Sequence, residues 1–237
     1  MESHSPGPAA STATRFTTLW GGCGIAASAL LSLLIGLPFI TLNGVTALSW
    51  YPVPNVVLSV VSFIAALILA GAVFCLGFGV RGETGLVGGS RTGRIAVGVF
   101  VIATVVGGLV RLLVVVWSGP APYEPLVVRG YLLAGLGAVA LASLIVAVIV
   151  VLRRRALNRA LRWGLAIVIA WTLLRQAVSY FPFVPAQPNA TFTGILIFAG
   201  NGYNVGLLLQ IVLGASIALH GQAAALRRRA AIINEHW

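Results

Sequence analysis

Lysine and aspartate are absent from this 237-residue chain, and acid of any kind is scarce. All fifteen basic residues are arginine, against four glutamates, Glu2, Glu83, Glu124 and Glu235, which fall in tails or between apolar runs. Proton and sodium coupling in membranes commonly relies on a carboxylate inside a span, so a cation-coupled carboxylate site is not expected. Intramembrane aspartyl proteolysis is excluded by the missing aspartate. Histidine occurs only at positions 4, 220 and 236, which leaves no transmembrane pair to ligate haem. Neither histidine nor cysteine clusters as a zinc site requires. Cys23 and Cys75 lie in separate apolar runs with no CxxC, and are read as small buried packing residues. No metal, no cofactor and no enzymatic activity are therefore expected.

Charge is equally sparse. Charged residues make up 8% of the chain and hydrophobic ones 59%, where a soluble domain has about 25% and 45–50%. The mean hydropathy is +1.02. This composition excludes a soluble globular domain, a disordered chain and a secreted disulfide scaffold. It points to an all-α, polytopic integral membrane protein.

Six apolar stretches are long enough to cross a hydrocarbon core, which takes about 20 residues at about 1.5 Å each. They run approximately over 19–42, 56–80, 95–117, 130–152, 163–181 and 192–220. Residues 1–18, rich in Ser, Thr, Pro and Ala, read as a disordered cytoplasmic tail. Residues 19–222 form the expected six-helix transmembrane domain, and 223–237 a short basic cytoplasmic tail. The first run exceeds a signal-peptide core and ends in no clear cleavage site, so it is kept as a helix. Pro38 is expected to kink its last turns.

Arginine placement sets the orientation. Twelve of the fifteen fall on one side: Arg15, the loop group 81, 91 and 94, the loop group 153, 154, 155, 159 and 162, and the tail group 227–229. Only Arg129 marks the opposite side. Both termini are thus expected to be cytoplasmic, and the net charge of +11 is mainly a topology signal, with some attraction for anionic lipid on the inner leaflet. A nucleic-acid partner is not expected, because no basic soluble domain is present. Arginine-only, Ala/Gly/Val-rich usage suggests a bacterial cytoplasmic membrane.

The outer loops resemble one another. Each pairs aromatics with prolines, as in Trp50-Tyr51-Pro52, Trp117-Ser118-Gly119-Pro120 and Tyr180-Phe181-Pro182, and aromatics favour the membrane interface. Prolines 52, 120 and 185 recur at similar intervals, which suggests three related helical hairpins. Any six-helix chain with short loops would also look periodic.

The remaining two arginines lie inside spans. Arg111 and Arg175 each precede an outer-end aromatic, Trp117 or Phe181, by six residues, which puts them roughly 9 Å below the helix ends. An arginine in mid-membrane costs about 2.5–3.5 kcal/mol on insertion scales. Either both side chains snorkel to the headgroups, or both face the interior and form a positive site open to the outside. Two such arginines repel each other unless an anion, polar groups or Glu124 compensate. Span six adds Gly200-Asn201-Gly202-Tyr203-Asn204-Val205-Gly206, with Gln210 beyond. Asn201 and Asn204 share a face. The three glycines fit either a helix broken at a cavity or a small-xxx-small packing seam at Gly202 and Gly206. Gln176, beside Arg175, could bond in either arrangement.

Ser216 and His220, one turn apart near the inner end of span six, lack a third catalytic member and an oxyanion group. Asn189-Ala190-Thr191 fits a glycosylation sequon only in a glycosylating host.

Two functions from different classes follow. In the first, the chain is a carrier or binding component for an anionic or lipid-like small molecule. Arg111 and Arg175 then serve as anion contacts, and Asn201, Asn204 and Gln210 as hydrogen-bonding groups. In the second it is a non-catalytic membrane scaffold, with a membrane-protein partner or a second copy of itself, whose arginines snorkel and whose sixth span is unbroken.

Overall fold

The computed structural model describes residues 15–36, 55–83, 85–117, 124–154, 157–180 and 190–235. Among these residues all regular secondary structure is α-helical, with no strand. The helices are α1 (Arg15–Gly36), α2 (Asn55–Phe78), α3 (Arg91–Trp117), α4 (Glu124–Arg154), α5 (Arg159–Tyr180) and α6 (Ala190–Glu235). Five of them contain stretches long and apolar enough to cross a membrane: Phe16–Ile35, Val56–Phe78, Arg91–Val116, Tyr131–Arg154 and Gly202–Ala223. α5, interrupted by Arg159, Arg162 and Arg175, is not one of the five. Large apolar side chains such as Ile102, Val212 and Leu219 are more than 60% exposed. Water would not tolerate so continuous an apolar surface, whereas lipid does.

The helix ends differ from the expected ones for local reasons. α1 begins at Arg15, inside the stretch expected to be disordered, because its first amides find a partner. Phe16 N and Thr17 N donate to the two carboxylate oxygens of Glu83 at 3.1 and 2.8 Å. A helix start leaves amides unsatisfied and carries partial positive charge, so a carboxylate suits it. Thr17 answers by accepting Val80 N at 3.0 Å on Oγ1. Arg81 places its guanidinium 4.9 Å from the centre of the Phe16 ring. The kink expected at Pro38 and the three outer loops lie outside the described residues.

α2 stops at Gly79, whose φ of +88° suits glycine, and whose amide donates to Cys75 O at 2.9 Å, the left-handed end that glycine favours. Ser90 then caps α3, accepting Gly93 N at 3.2 Å, and Asn158 caps α5, accepting Leu161 N at 2.9 Å. α6 does not stop near residue 220 but continues to Glu235, 46 residues in all, or about 69 Å. That is about twice the hydrocarbon core. Beyond Gly221 the sequence contains no Gly or Pro and is rich in alanine, the strongest helix former.

The helices form a ring in chain order, α1 on α2, α2 on α3, α3 on α4 and α5 on α6, with a slight contact between α4 and α5. The ring closes by the most extensive contact of all, α1 on α6. One end is densely packed. Leu86 and Val87 of the α2–α3 loop insert among Leu76, Val97, Leu157, Leu161 and Ile217. This end brings together residues 16–17, 80–83, 85–94, 154, 157–162 and 220, and is hereafter the arginine-rich end. Cys23 is exposed and Cys75 half-buried, both as free thiols, so Cys23 is not the buried packing residue expected.

Candidate functional site

Away from the arginine-rich end, the packing between α2, α3 and α4 opens into a cavity of about 850 Å³. Its walls follow helical periodicity. Ser59, Ser62, Phe63 and Ala66 of α2 stand at i, i+3, i+4 and i+7, and α3 contributes Thr104, Gly107 and Arg111 at i, i+3 and i+7. α4 closes the cavity with Leu133, Leu136 and Gly137. Missing side chains create the space. A Cβ at Gly107 would meet only Leu136 Cβ, at 3.9 Å. The adjacent Gly108 serves packing instead, since a Cβ there would lie 2.9 Å from Phe63 Cδ2.

Arg111 is an exposed residue on this wall. It lies six residues from the end of α3, and Ser62 seven from the start of α2, so both are roughly 9–10 Å from their helix ends. The site thus combines one permanent cation, hydroxyls at Ser59, Ser62 and Thr104, and otherwise apolar walls. An apolar cavity with few polar groups is the usual form of a small-molecule site, and about 850 Å³ lies within the customary range of about 300–1,000 Å³.

Arg175 does not line this cavity. It sits on α5, and among the described residues α3 makes no contact with α5 or α6. Its guanidinium lies 5.3 Å from the centre of the Tyr203 ring. One turn earlier, Trp171 Nε1 donates to Gly202 O at 2.8 Å. The indole rests on the flat face left by Gly202 and Gly206, where added Cβ atoms would lie 3.6 and 3.1 Å from its ring carbons. The Gly202-x-x-x-Gly206 pattern therefore accommodates an aromatic ring rather than another backbone, and α6 passes through it unbroken. Asn204 and Gln210 are half-buried on α6 and line neither this cavity nor a second one, described next. The side chains of Asn201, Gln176 and Glu124 lie outside the described residues. Of the four expected site residues whose side chains are described, Arg111, Arg175, Asn204 and Gln210, Arg111 is the one that lines the cavity.

The second cavity, of about 500 Å³, lies between α5 and α6 toward the arginine-rich end, with Ser216 and His220 on its wall. His220 pairs with Asn158 rather than Ser216: Asn158 Nδ2 donates to His220 Nδ1 at 3.3 Å. Among the described residues no group of three His, Cys or Glu side chains comes together.

Sequence reasoning found Arg111 through its cost in a span, but not Ser59, Ser62 or Thr104. Their signal was a hydroxyl-and-small-residue stripe at helical spacing within very apolar runs.

The fold and cavity define a helical, membrane-span-like protein with an amphipathic pocket. No protein-family model, no curated protein and no solved structure matches the chain.

Proposed function

We propose that this protein is a multi-pass membrane protein that binds an anionic amphiphile in the α2–α3–α4 cavity. The observation that supports this most is the pairing of a single cation, Arg111, with a large and otherwise apolar or hydroxyl-lined space. An acyl chain or similar apolar body fits the walls, and a carboxylate or phosphate meets the guanidinium. Partial removal from water strengthens that contact. In this reading α5 is the sixth crossing, both termini face the cytoplasm, and the cavity opens toward the outer leaflet of a bacterial cytoplasmic membrane. The unbroken α6 favours a holding site over an alternating-access carrier, because carriers commonly interrupt a helix at the midplane. It also suits the alternative reading, a scaffold that acts through its packing faces.

Thermal unfolding of the purified full chain in a non-ionic detergent separates the two. Oleate, but not oleyl alcohol, raises Tm for wild type, and Arg111→Gln removes the oleate shift while leaving the ligand-free Tm close to wild type. Arg175→Gln retains the shift. Absence of any oleate shift in wild type, or its survival in Arg111→Gln, would leave the scaffold reading in its place.

A further inference from the structure

At the arginine-rich end three of the described guanidinium groups are engaged by the protein itself. Arg81 stacks on Phe16. Arg94 Nε donates to Gly88 O at 3.1 Å. Arg154 lies against Gly88, where its Nη1 occupies the place a Cβ would take. Arg162 is different. Its Nε is buried and, among the described residues, has no hydrogen-bond partner. A buried donor left unsatisfied is costly, and more so when charged.

Arg162 lines a cleft of about 290 Å³ between the end of α4 and the start of α5. Arg159, Arg162, Trp163 and Ala166 stand on one face of α5 at i, i+3, i+4 and i+7, and Leu152 of α4 faces them. Like charges at this spacing repel, and no acid lines the cleft. The glutamate described at this end, Glu83, is bound to the first amides of α1. The first turn of α5 adds the positive end of a helix dipole. Trp163 is 62% exposed, and an exposed indole beside arginines is typical of the level where lipid headgroups lie.

We infer that this cleft is a binding site for the phosphate of an anionic phospholipid headgroup in the leaflet at the arginine-rich end. Its volume suits a headgroup rather than a whole lipid. Arg159 and Arg162 receive the phosphate oxygens, Trp163 covers the glycerol region, and the acyl chains run outside along the apolar surface. The headgroup charge relieves the repulsion between the two arginines. The site is separate from the α2–α3–α4 cavity and does not depend on what that cavity binds.

The test uses the full chain in phosphatidylcholine nanodiscs with and without phosphatidylglycerol, and measures retained phosphatidylglycerol by native mass spectrometry. A charge-assisted hydrogen bond to the phosphate is worth about tenfold in affinity or more, whereas the diffuse attraction of an exposed arginine is largely screened by salt. Arg162→Gln and Arg159→Gln are each expected to weaken retention about tenfold or more, whereas Arg153→Gln, at an exposed arginine that does not line the cleft, changes it less than twofold. Wild-type retention persists in high salt, because partly buried cations are screened less than exposed ones. Arg159 is exposed at the first residue of α5, so its variant reports even if Arg162→Gln folds poorly. Equal losses in the Arg153 and Arg159 variants would mean diffuse surface attraction and would overturn the site. Displacement of the lipid by inorganic phosphate at matched ionic strength would show a free-anion site and overturn the lipid assignment.

Discussion

Gly22 and Gly214 bring the backbones of α1 and α6 into direct contact. A Cβ on Gly214 would lie 2.6 Å from Gly22 O and 2.7 Å from Ala26 N, and one on Gly22 would lie 2.6 Å from Ala218 N. The crossing joins the Gly22-x-x-x-Ala26 face of α1 to the Gly214-x-x-x-Ala218 face of α6. In lipid, helices associate through close van der Waals packing rather than hydrophobic exclusion, so small residues decide where they meet. This contact closes the ring between the first and last helices.

Replacing either glycine with a larger residue must push the two helices apart. Gly214→Val is expected to lower stability by about 1–3 kcal/mol, the usual cost of overpacking, or more if the ring opens. Gly22→Val should behave alike, and the two together should cost less than their sum, because one separation relieves both clashes. Unfolding in a denaturing detergent, followed by circular dichroism, measures these differences. A near-neutral Gly214→Val would contradict the close crossing.

Glu83 and Thr17 make a second long-range tie, across 66 residues of chain. Glu83→Ala leaves the amides of Phe16 and Thr17 without their acceptor and should cost about 1–2 kcal/mol, as loss of a helix cap does. Thr17→Val preserves shape in a fully buried position but strands Val80 N, at about 1–3 kcal/mol. Hydrogen exchange at the first amides of α1 should accelerate in Glu83→Ala before global stability is lost. A double-mutant cycle should show coupling, because both bonds fasten α1 to the same loop.

The paired glycines of α3 predict opposite outcomes one residue apart. Gly107→Ala gains helix propensity, up to about 1 kcal/mol, and its Cβ meets only Leu136 Cβ at 3.9 Å, so it should be neutral or stabilising. Gly108→Ala drives a Cβ to 2.9 Å from the Phe63 ring and 3.3 Å from Ala66 Cβ and should destabilise. Gly107→Leu fills the cavity and should abolish the oleate shift while the protein remains folded. Thermal unfolding of the three variants, with and without oleate, checks both the cavity and its proposed occupant.

These sites differ in how far the sequence could reveal them. The apolar runs were legible because length and hydropathy alone specify a membrane-span-like helix. Arg111 was legible because a charge there needs a reason. The crossing at Gly22 and Gly214 was not, since Gly202-x-x-x-Gly206 has the same local pattern and meets an indole instead. With 28 glycines in the chain, the partner rather than the motif decides which becomes a helix crossing. The cavity was hidden for a related reason: it consists of side chains that are absent on three helices at once. Glu83 looked like a loop acid because its partners, the first amides of α1, are 67 and 66 residues away in sequence. The extension of α6 to Glu235 could have been anticipated from its alanines, had arginine not drawn the reading toward a solvated tail.

Trp171 is the local test of why α6 is unbroken. Its indole bridges α5 to Gly202 O with a 2.8 Å hydrogen bond and covers the Gly202–Gly206 face, the most glycine-weakened part of the helix. Trp171→Phe retains the ring but removes the donor. That should cost about 0.5–1.5 kcal/mol, because the Gly202 carbonyl lies within a helix and can still accept a backbone amide. Trp171→Ala leaves an empty volume against two glycines and should cost about 3–5 kcal/mol. Gly206→Ala should be poorly tolerated in wild type, where its Cβ would lie 3.1 Å from Trp171 Cδ1, yet should partly rescue Trp171→Ala by restoring helix propensity and filling space. Such a reversal of sign, measured by thermal unfolding of the single and double variants, is expected only if the indole and the glycine face are in contact. Simple additivity would show that the two glycines serve some other neighbour.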